Sequence, residues 1–456
     1  MPNRREFLAG AAAVAASRHP LLRIPGISLA PDRPRPTPSQ LEWQRDELAL
    51  FLHFGVNTFT DREWGDGKED PAIFAPGALD ARQWARSARA AGFRTMILTA
   101  KHHDGFCLWP SKTTDHSVAK SPFRDGRGDV VREFIDACKA EGLKAGLYLS
   151  PWDRNAPVYG DIPRYNDMYS AQLTELLTQY GPIHEVWFDG ANGEGPNGKK
   201  QTYDWPQVHA IVRKLQPNAV MFSDAGPDVR WIGNESGTAG ETNWSTVDPS
   251  VVQAPGVSGP GVTKMLQQGD PNGTVWRPGE TDVSIRPGWF NHAAEDTRVR
   301  SVDNLVQLYS TSVGRNSKLL LNVPPTRQGL LHDTDVARLV GMRQRLDALF
   351  GNDLCRGHNI SWQASITGVI GEVVVGKPSP VGLIALGEDI SQGQVVARYK
   401  VEGFDGTTWQ PLSRGTTIGY KKLDRVTPVA VQRIRLTVEE SLAKPANITL
   451  QAYSGT

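Results

Sequence analysis

The sequence predicts an α/β fold, a (β/α)8-like TIM barrel followed by a C-terminal antiparallel β-sandwich domain. From about residue 48 to residue 350, short apolar segments alternate with amphipathic segments of helical spacing. This alternation is typical of parallel strands covered by helices. The stretch is long enough for eight strand–helix units, which need about 250 residues. Beyond residue 351 the segments are β-rich without a helical stripe, as in a sandwich.

The apolar pattern predicts the elements in order. We predict barrel strands at residues 48–53, 95–100, 144–150, 184–189, 219–223 and 318–323, and helices at 79–91, 130–142, 169–180, 205–215, 298–314 and 333–350. The Gly- and Pro-rich stretch 225–296 gives no clear position for the sixth and seventh strands. The sandwich is predicted from β-rich segments at 368–376, 395–402 and 433–438. An open doubly wound sheet is the alternative, but no GxGxxG follows the first strand and no GxxxxGK[ST] occurs.

The chain is predicted to have four regions: a signal at 1–20, a Pro-rich tether at 21–40, the barrel at 41–350 and the sandwich at 351–456. Arg4 and Arg5, followed by a short Ala-rich apolar run, indicate a twin-arginine export signal; a plain Ala-rich terminus is the alternative. We therefore expect an exported bacterial protein, periplasmic or extracellular. The three cysteines form no CxxC pair, which argues against a disulfide framework or a zinc–thiolate site.

Composition and charge narrow the class of ligand. The chain carries 50 Lys and Arg against 49 Asp and Glu, a net charge of +1, so nucleic acid is not an expected partner. No apolar run of membrane-spanning length follows the N-terminal region, so no membrane span is expected. The 13 tryptophans outnumber the 10 tyrosines. Many aromatic faces on a near-neutral protein favour an uncharged, polar ligand such as a sugar.

The predicted strand ends carry a ring of His, Trp, Tyr and carboxylate side chains. In a (β/α)8 barrel the active site is built at the carboxyl ends of the strands. These ends carry His53, the segment 101–106, Tyr148, the segment 187–190 and Asp224, and the loop after Asp224 carries 230–235. Such residues can bind sugar hydroxyls and stack on sugar rings, and two carboxyl groups are what glycoside hydrolysis requires.

Two carboxylates stand out as catalytic candidates. Asp189 ends an apolar strand between an aromatic residue and a glycine, so it is the candidate nucleophile; a helix-capping or turn role is the alternative. Glu235, in the loop after Asp224, is the candidate acid/base, and Glu241, Asp224 and Asp228 compete with it. Glu235 needs a raised pKa, which we expect Trp231 and the charge of Asp189 to supply.

The adjacent pair His102-His103 also fits a metal site, but the spacing argues against one. Neighbouring residues on a strand point to opposite faces, so both rings could not coordinate one ion from within the strand. We expect the pair at the end of the strand, where it binds hydroxyl groups. No metal and no cofactor are predicted.

In this order, the motifs resemble those of glycoside hydrolase family 29, the α-L-fucosidases. They are FLHFG, KHHDGFCLW, GLYLSPWD, EVWFDGANG and LLLNVPP, and the resemblance covers roughly residues 40–345. It implies a C-terminal sandwich and retaining cleavage through a covalent fucosyl–enzyme intermediate, with Asp189 of WFDG as the nucleophile. LLLNVPP departs from the family, which more often shows Asn-x-Gly-Pro.

The resemblance also implies the other site residues. GPDVRWIGNESG is similar to the subgroup that prefers branched α-1,3/1,4-linked fucose, which makes Glu235 the acid/base. The apolar patch for the C5 methyl group is expected at Trp289 or Phe290. The resemblance carries over His53, His102, His103, Tyr148 and Trp187 as substrate-binding residues, and Trp64 of EWGDG is added to them. Trp231 and Trp289 are expected to bind substrate because of their positions, beside Glu235 and in a loop at the same rim.

The expected function is therefore hydrolysis of terminal α-linked L-fucose from fucosylated oligosaccharides or glycoconjugates, at α-1,3/1,4 linkages of the Lewis type. The alternatives are a fucosidase of broad or α-1,2 preference, and a carbohydrate-binding protein without catalysis. A non-catalytic protein would keep the aromatic residues and histidines but would not need the pair Asp189 and Glu235. The sequence makes no prediction of the oligomeric state.

Overall fold

The computed structural model describes residues 33–364 and 368–455. The predicted signal at 1–20 and most of the predicted tether lie outside these residues. The strands are β1 (Leu48–Leu52), β2 (Thr95–Lys101), β3 (Lys144–Leu149), β4 (Glu185–Trp187), β5 (Val220–Ser223), β6 (Val229–Trp231), β7 (Thr246–Val247), β8 (Val275–Trp276), β9 (Gly279–Ser284), β10 (Ser317–Asn322), β11 (Ser361–Ala364), β12 (Val369–Gly387), β13 (Val396–Phe404), β14 (Trp409–Gly415), β15 (Lys422–Ser441) and β16 (Thr449–Tyr453). The helices are α1 (Pro38–Arg45), α2 (Val56–Thr60), α3 (Ala81–Ala90), α4 (Val130–Glu141), α5 (Ile162–Gln179), α6 (Trp205–Leu215), α7 (Pro260–Gln268), α8 (Val302–Thr311) and α9 (Asp333–Phe350).

Eight parallel strands close into a barrel, in the order β1-β2-β3-β4-β5-β6-β9-β10. Every residue of β1, β2 and β10 is buried, because each strand faces the barrel interior on one side and the surrounding helices on the other. The predicted barrel is confirmed. β7 and β8 form a separate two-stranded antiparallel ribbon in the long connection between β6 and β9.

The sixth and seventh barrel strands are β6 and β9. β6 has only three residues, too few to show the alternating pattern of a strand. It contains Arg230 and Trp231, so the prediction that these two residues lie in a loop is wrong. β9 reads GETDVS, and its buried Glu280 and Asp282 hide the apolar signal of a strand.

Local capping fixes where the helices begin and end. Asp80 accepts a 2.9 Å hydrogen bond from the backbone N–H of Arg82 at the start of α3, and Asp129 caps α4 in the same way at 2.8 Å. Gly142 ends α4 in the left-handed region, with φ of 69°, as predicted. These ends set the loops that enter the neighbouring barrel strands.

The barrel interior is aromatic and sealed at its amino-terminal end. Trp43 of α1 is fully buried and donates an indole hydrogen bond to Glu185 Oε2 at 2.9 Å. Above it, Phe51, Tyr148 and Trp187 belong to one apolar cluster. This packed interior supports the side chains at the carboxyl ends of the strands.

The C-terminal region forms an antiparallel sheet in the order β11-β12-β15-β13-β14, with β16 pairing with β12. β12 and β15 are long strands, and the register between them shifts at 374–379 and again at 381–383. Such irregularities bend a sheet, so the strands can enclose a core of their own. The fold class of barrel plus antiparallel sandwich is confirmed.

Two further properties concern the whole described chain. None of the helices in residues 33–364 and 368–455 combines the length and the apolar character needed to cross a membrane. Cys107, Cys138 and Cys355 are free and buried thiols. Burial raises their pKa, which keeps the thiols protonated.

Candidate active site

The predicted site residues converge at the carboxyl ends of neighbouring barrel strands. His53 follows β1, and its ring centroid lies 5.5 Å from that of His102, which follows β2. The His102 ring stacks on Tyr148 of β3 at 6.0 Å. Tyr148 in turn lies 5.4 Å from Trp187, the last residue of β4. Residues far apart in sequence thus form one aromatic, histidine-rich cup.

Asp189 lies just beyond β4 and is held by two hydrogen bonds. The Tyr148 hydroxyl donates to Oδ2 at 2.9 Å, and the backbone N–H of Ala191 donates to Oδ1 at 2.7 Å. Burial, then the charge of Asp189, raises the pKa of Tyr148 well above its usual value, so the phenol stays protonated and donates. The Asp189 side chain remains 28% exposed, so an approaching ligand can reach it.

Glu235 lies in the loop after β6 and is exposed at the rim. Neighbouring protein nevertheless removes part of the water from its carboxyl group, and this desolvation raises its pKa above the usual value. The charges of Asp189 and Glu63 raise it further, whereas a hydrogen bond from the Trp289 side chain lowers it. The contribution expected from Asp189 is present.

Trp231 donates its hydrogen bond to a buried acid of β9. Its indole N–H lies 2.7 Å from Asp282 Oδ1. Trp231 therefore forms part of the wall of the cup, near Glu235, where the end of β6 pairs with β9.

Two of the three carboxylates that compete with Glu235 for the acid/base role lie away from the carboxyl ends of the strands. Glu241 is 81% exposed and pairs with Arg315, which precedes β10 at the amino-terminal end of the barrel. Asp228 precedes β6 and accepts a hydrogen bond from the backbone N–H of Met221 at 2.8 Å. Asp224 does follow β5 at the carboxyl end, and burial raises its pKa to about 6.

His53 is a neutral imidazole. Its Nδ1 lies 2.8 Å from Asn322 Oδ1, and Asn322 donates its own N–H groups to Ser284 Oγ and to the carbonyl of Trp289. Asn322 Oδ1 must therefore accept, so Nδ1 of His53 carries the proton. Burial lowers the pKa of His53 to about 3. Nε2 consequently presents a lone pair that can accept a hydroxyl hydrogen.

His103 has the same kind of support. The Ser150 hydroxyl donates to the carbonyl of Trp152 at 2.8 Å, so it can only accept from His103 Nδ1, 2.7 Å away. Nε2 then faces Asp189 Oδ2 at 3.9 Å. Burial lowers the pKa of both His102 and His103, and Nδ1 of His102 has no hydrogen-bond partner within the described residues.

The four tryptophans expected to bind substrate occupy different depths. Trp64 is 61% exposed, with its ring edge-on to His103 at 6.3 Å and to Trp152 at 6.0 Å. Trp289 lies 5.1 Å from His53 at the mouth of the cup. Trp231 lines the wall, and Trp187 is only 7% exposed. Trp187 therefore supports the cup mainly from inside the barrel.

Sequence reasoning missed several residues that organise the site. Glu63 accepts hydrogen bonds from the backbone N–H groups of Trp289 at 2.8 Å and Phe290 at 3.0 Å, and so fixes the loop that carries both. Its position beside Trp64 in EWGDG was the available signal. The buried acids Glu280 and Asp282 had no signal, because β9 was not predicted.

A metal centre of three or more His, Cys, Asp or Glu side chains is not found in residues 33–364 and 368–455. Among the cup histidines, His103 presents Nε2 toward Asp189, whereas His53 Nδ1 is held by Asn322. What the cup offers is hydrogen bonding, aromatic surface and two carboxyl groups.

A closed parallel barrel whose carboxyl end joins an accessible carboxylate, a second carboxyl group of raised pKa and an aromatic, histidine-rich wall defines the class of glycoside hydrolases. The chain belongs to the α-L-fucosidase family, glycoside hydrolase family 29, whose family model, described as alpha-L-fucosidase, matches residues 53–348.

Individual relatives agree with this family. Alpha-L-fucosidase 1 of Arabidopsis thaliana is 42% identical over 93% of this chain and 88% of its own length. The crystal structure of a glycoside hydrolase 29 family member from a rumen bacterium is 41% identical, covers 93% of this chain and 78% of that chain, and superimposes with a TM-score of 0.87. A fucosidase of Ruminococcus gnavus, solved in complex with fucose, is 31% identical over 95% of this chain and 98% of its own, with a TM-score of 0.84.

Proposed function

We propose that this protein is a retaining α-L-fucosidase that removes terminal α-linked L-fucose from branched, Lewis-type glycans at α-1,3/1,4 linkages. The observation that carries the proposal is the arrangement of Asp189, fixed by Tyr148 and by a backbone N–H group yet open to the cup, with Glu235 of raised pKa on the same rim. One carboxylate and one carboxylic acid are the two groups that retaining hydrolysis needs.

In the first step Asp189 attacks the anomeric carbon of fucose. The glycosidic bond breaks while Glu235, protonated, gives its proton to the departing oxygen. The two hydrogen bonds to Asp189 aim its carboxylate before substrate arrives, so little reorganisation is needed. A covalent fucosyl–enzyme ester results.

In the second step Glu235, now ionised, takes a proton from water, and the water oxygen attacks the anomeric carbon. The ester bond to Asp189 breaks, and the second inversion restores the original configuration. Glu235 lies exposed on its loop, where water can reach it. Tyr148 donates again to the released carboxylate.

The cup wall explains recognition of a neutral deoxy sugar. Nε2 of His53 and of His103 accept hydrogen bonds from sugar hydroxyls, since in each ring Nδ1 carries the proton. Trp289 at the mouth provides apolar surface for the C5 methyl group, supported by the fully buried Phe290. The structure of the Ruminococcus gnavus relative with bound fucose supports this ligand.

Linkage preference is tested with a set of natural glycans. We expect release of fucose from Lewis-type trisaccharides with a kcat/KM far above that for an α-1,2-linked oligosaccharide, because Trp64 and Trp152 offer a rim platform for a branched sugar. The measurement is fucose released from each glycan, with Asp189→Asn as the inactive control. An α-1,2 preference, or binding without release, would contradict the proposal.

We also propose that the protein is exported by the twin-arginine route. The support is the Arg4-Arg5 motif and the apolar run behind it. Replacing both arginines by lysine should leave the protein in the cytoplasm of a bacterial host. Fractionation of the host cells measures this, and undiminished export of the double variant would count against the motif.

A further inference from the structure

β9 brings two buried acidic residues to the same face, toward the barrel interior. Glu280 and Asp282 are separated by one residue, so their side chains share one side of the strand. Glu280 is fully buried and Asp282 is 4% exposed. In the described ranges, neither makes an ion pair with a basic side chain. Two negative charges at this depth without a direct ion-pair partner would be strongly unfavourable.

Each acid accepts the indole N–H of one tryptophan beside the site. Trp187 donates to Glu280 Oε1 at 3.0 Å, and Trp231 donates to Asp282 Oδ1 at 2.7 Å. Trp187 packs against Tyr148, whose hydroxyl holds Asp189. The two acids thus fix both tryptophans from below.

The charges around Glu280 act in opposite directions, and the larger effect disfavours ionisation. Lys318 favours an ionised Glu280, but the repulsion by Glu185 is stronger. Glu185 Oε2 accepts from Trp43 at 2.9 Å and lies 3.4 Å from Lys318 Nζ, so Lys318 pairs directly with Glu185. Glu280 Oε2 and Glu185 Oε1 are both buried without a hydrogen-bond partner in the described chain. If Glu280 Oε2 carries a proton, it becomes a hydrogen-bond donor, and only one of the two oxygen atoms is left as an acceptor without a donor.

The charges around Asp282 also favour its un-ionised form. Its acidic neighbours are Glu235 and Asp189, and both disfavour a negative charge on Asp282. Burial is the main cause that raises the pKa of Asp282, and also that of Glu280, well above the usual values.

We propose that Glu280 and Asp282 are un-ionised carboxylic acids. In that form they act as positioning residues, which hold the indoles of Trp187 and Trp231. Neutral acids orient the indoles without adding charge beside the catalytic pair, and so leave the pKa of Glu235 to be set by its own surroundings. This inference rests on the proposed function for the roles of Asp189 and Glu235, but the protonation of the two acids can be measured without substrate.

The first experiment is infrared difference spectroscopy of the wild-type protein against Glu280→Gln and Asp282→Asn, at and above about pH 7. We expect each substitution to remove a carbonyl band of an un-ionised acid. Asp153→Asn is the matched control, because Asp153 is buried but pairs with Lys101 at 3.0 Å, so it should remove carboxylate bands instead. Loss of carboxylate bands in Glu280→Gln or Asp282→Asn would overturn the proposal.

The second experiment measures kcat/KM against pH. The rate should fall at high pH, as Glu235 loses its proton, and Asp282→Asn should not change the pH at which half of the rate is lost, because a neutral acid carries no charge to remove. A shift of that midpoint to lower pH would show that Asp282 is ionised in the wild-type protein. Glu280→Gln should keep most of the wild-type kcat, whereas Glu280→Ala should lose about tenfold or more, since it leaves the Trp187 N–H without an acceptor. Equal losses in both variants at unchanged Tm would contradict a role as a neutral acceptor. If the wild-type protein had no fucosidase activity, the proposed function would be wrong and these rates could not be measured. The infrared experiment would still show whether the two acids are un-ionised.

Discussion

At the scale of single residues, the two catalytic candidates differ because their surroundings differ. Asp189 receives two hydrogen bonds, which stabilise a carboxylate. Glu235 is partly desolvated and lies near the charges of Asp189 and Glu63, which favour the protonated acid. One group is thus suited to attack and the other to donate a proton, a division of roles set by environment.

This difference predicts a basic limb in the pH dependence of kcat/KM. The first step needs Glu235 protonated, so kcat/KM should fall as pH rises through the raised pKa of Glu235. Glu235→Ala should abolish that limb and slow glycan substrates by about 10²- to 10⁴-fold, with a much smaller loss for aryl fucosides of good leaving group. Rate–pH profiles on both kinds of substrate provide the measurement.

The control for this prediction is Asp224, whose pKa of about 6 could also produce a limb. Asp224 accepts a hydrogen bond from the backbone N–H of Gly256 at 2.8 Å, which an asparagine oxygen can also accept, so Asp224→Asn is compared directly with Glu235→Ala. If the asparagine variant lost the basic limb and Glu235→Ala kept it, the acid/base would be Asp224.

At the scale of elements, the end of β10 organises one side of the site. Asn322, its last residue, is fully buried and bonds with His53, Ser284 and the carbonyl of Trp289. It therefore ties β1, β9 and the loop after β9 to β10. This gives the Asn of LLLNVPP a direct part in shaping the cup.

We predict that Asn322→Ala lowers kcat/KM by about 10- to 100-fold, equivalent to about 1.4–2.8 kcal/mol, because His53 Nδ1 loses its acceptor and the imidazole can turn. The loss should be similar for small aryl fucosides and for glycans, since both place fucose in the same cup. Steady-state kinetics measure it. Asn304→Ala, at an exposed asparagine of α8, is the control, and an equal loss there would contradict this assignment.

Some of the barrel strands could be predicted from the sequence and others could not. β1, β2, β3 and β10 were predictable because strands buried on both faces read as continuous apolar runs. β9 was not, because Glu280 and Asp282 interrupt its apolar pattern, and its acids are acceptable only with partners from other strands. Hydrophobic patterning carries no information on such partners.

The site was predictable to a similar degree. His53, His102, Tyr148 and Asp189 could be found, because each stands at or near the end of an apolar strand. Glu63 stands beside Trp64 in EWGDG, but its contacts could not be predicted, since they are with residues 289–292, more than two hundred positions further along the chain. Such contacts arise only when the barrel closes.

At the scale of the whole molecule, Asn316 joins the barrel to the C-terminal sheet. It is 1% exposed and adopts a φ of 59°, which asparagine tolerates better than most residues. Its Oδ1 accepts from Gln44 and from the backbone N–H of Tyr420, and its Nδ2 donates to the carbonyl of Asn243 and to Gln394. One side chain thus binds the entry to β10, α1 and two loops of the C-terminal region.

We predict that Asn316→Ala destabilises the protein by about 2–4 kcal/mol, because several buried polar groups lose their partner and alanine is strained at positive φ. Thermal unfolding should show a lower Tm, while kcat/KM of the folded protein changes little, since Asn316 lies at the opposite end of β10 from the cup. Asn218→Ala, at an exposed asparagine, serves as the control. A Tm equal to that of the control would show that the junction does not depend on Asn316.

The proposed mechanism requires that Asp189 forms a covalent bond to fucose. A 2-deoxy-2-fluoro-α-L-fucosyl fluoride slows the second step more than the first, so the intermediate accumulates and can be mapped by mass spectrometry of peptides. We expect one fucosyl adduct per chain on the peptide that contains Asp189, and none in Asp189→Asn. An adduct on Asp224 or Glu235, or an active protein that turns over the reagent without any adduct, would contradict the claim.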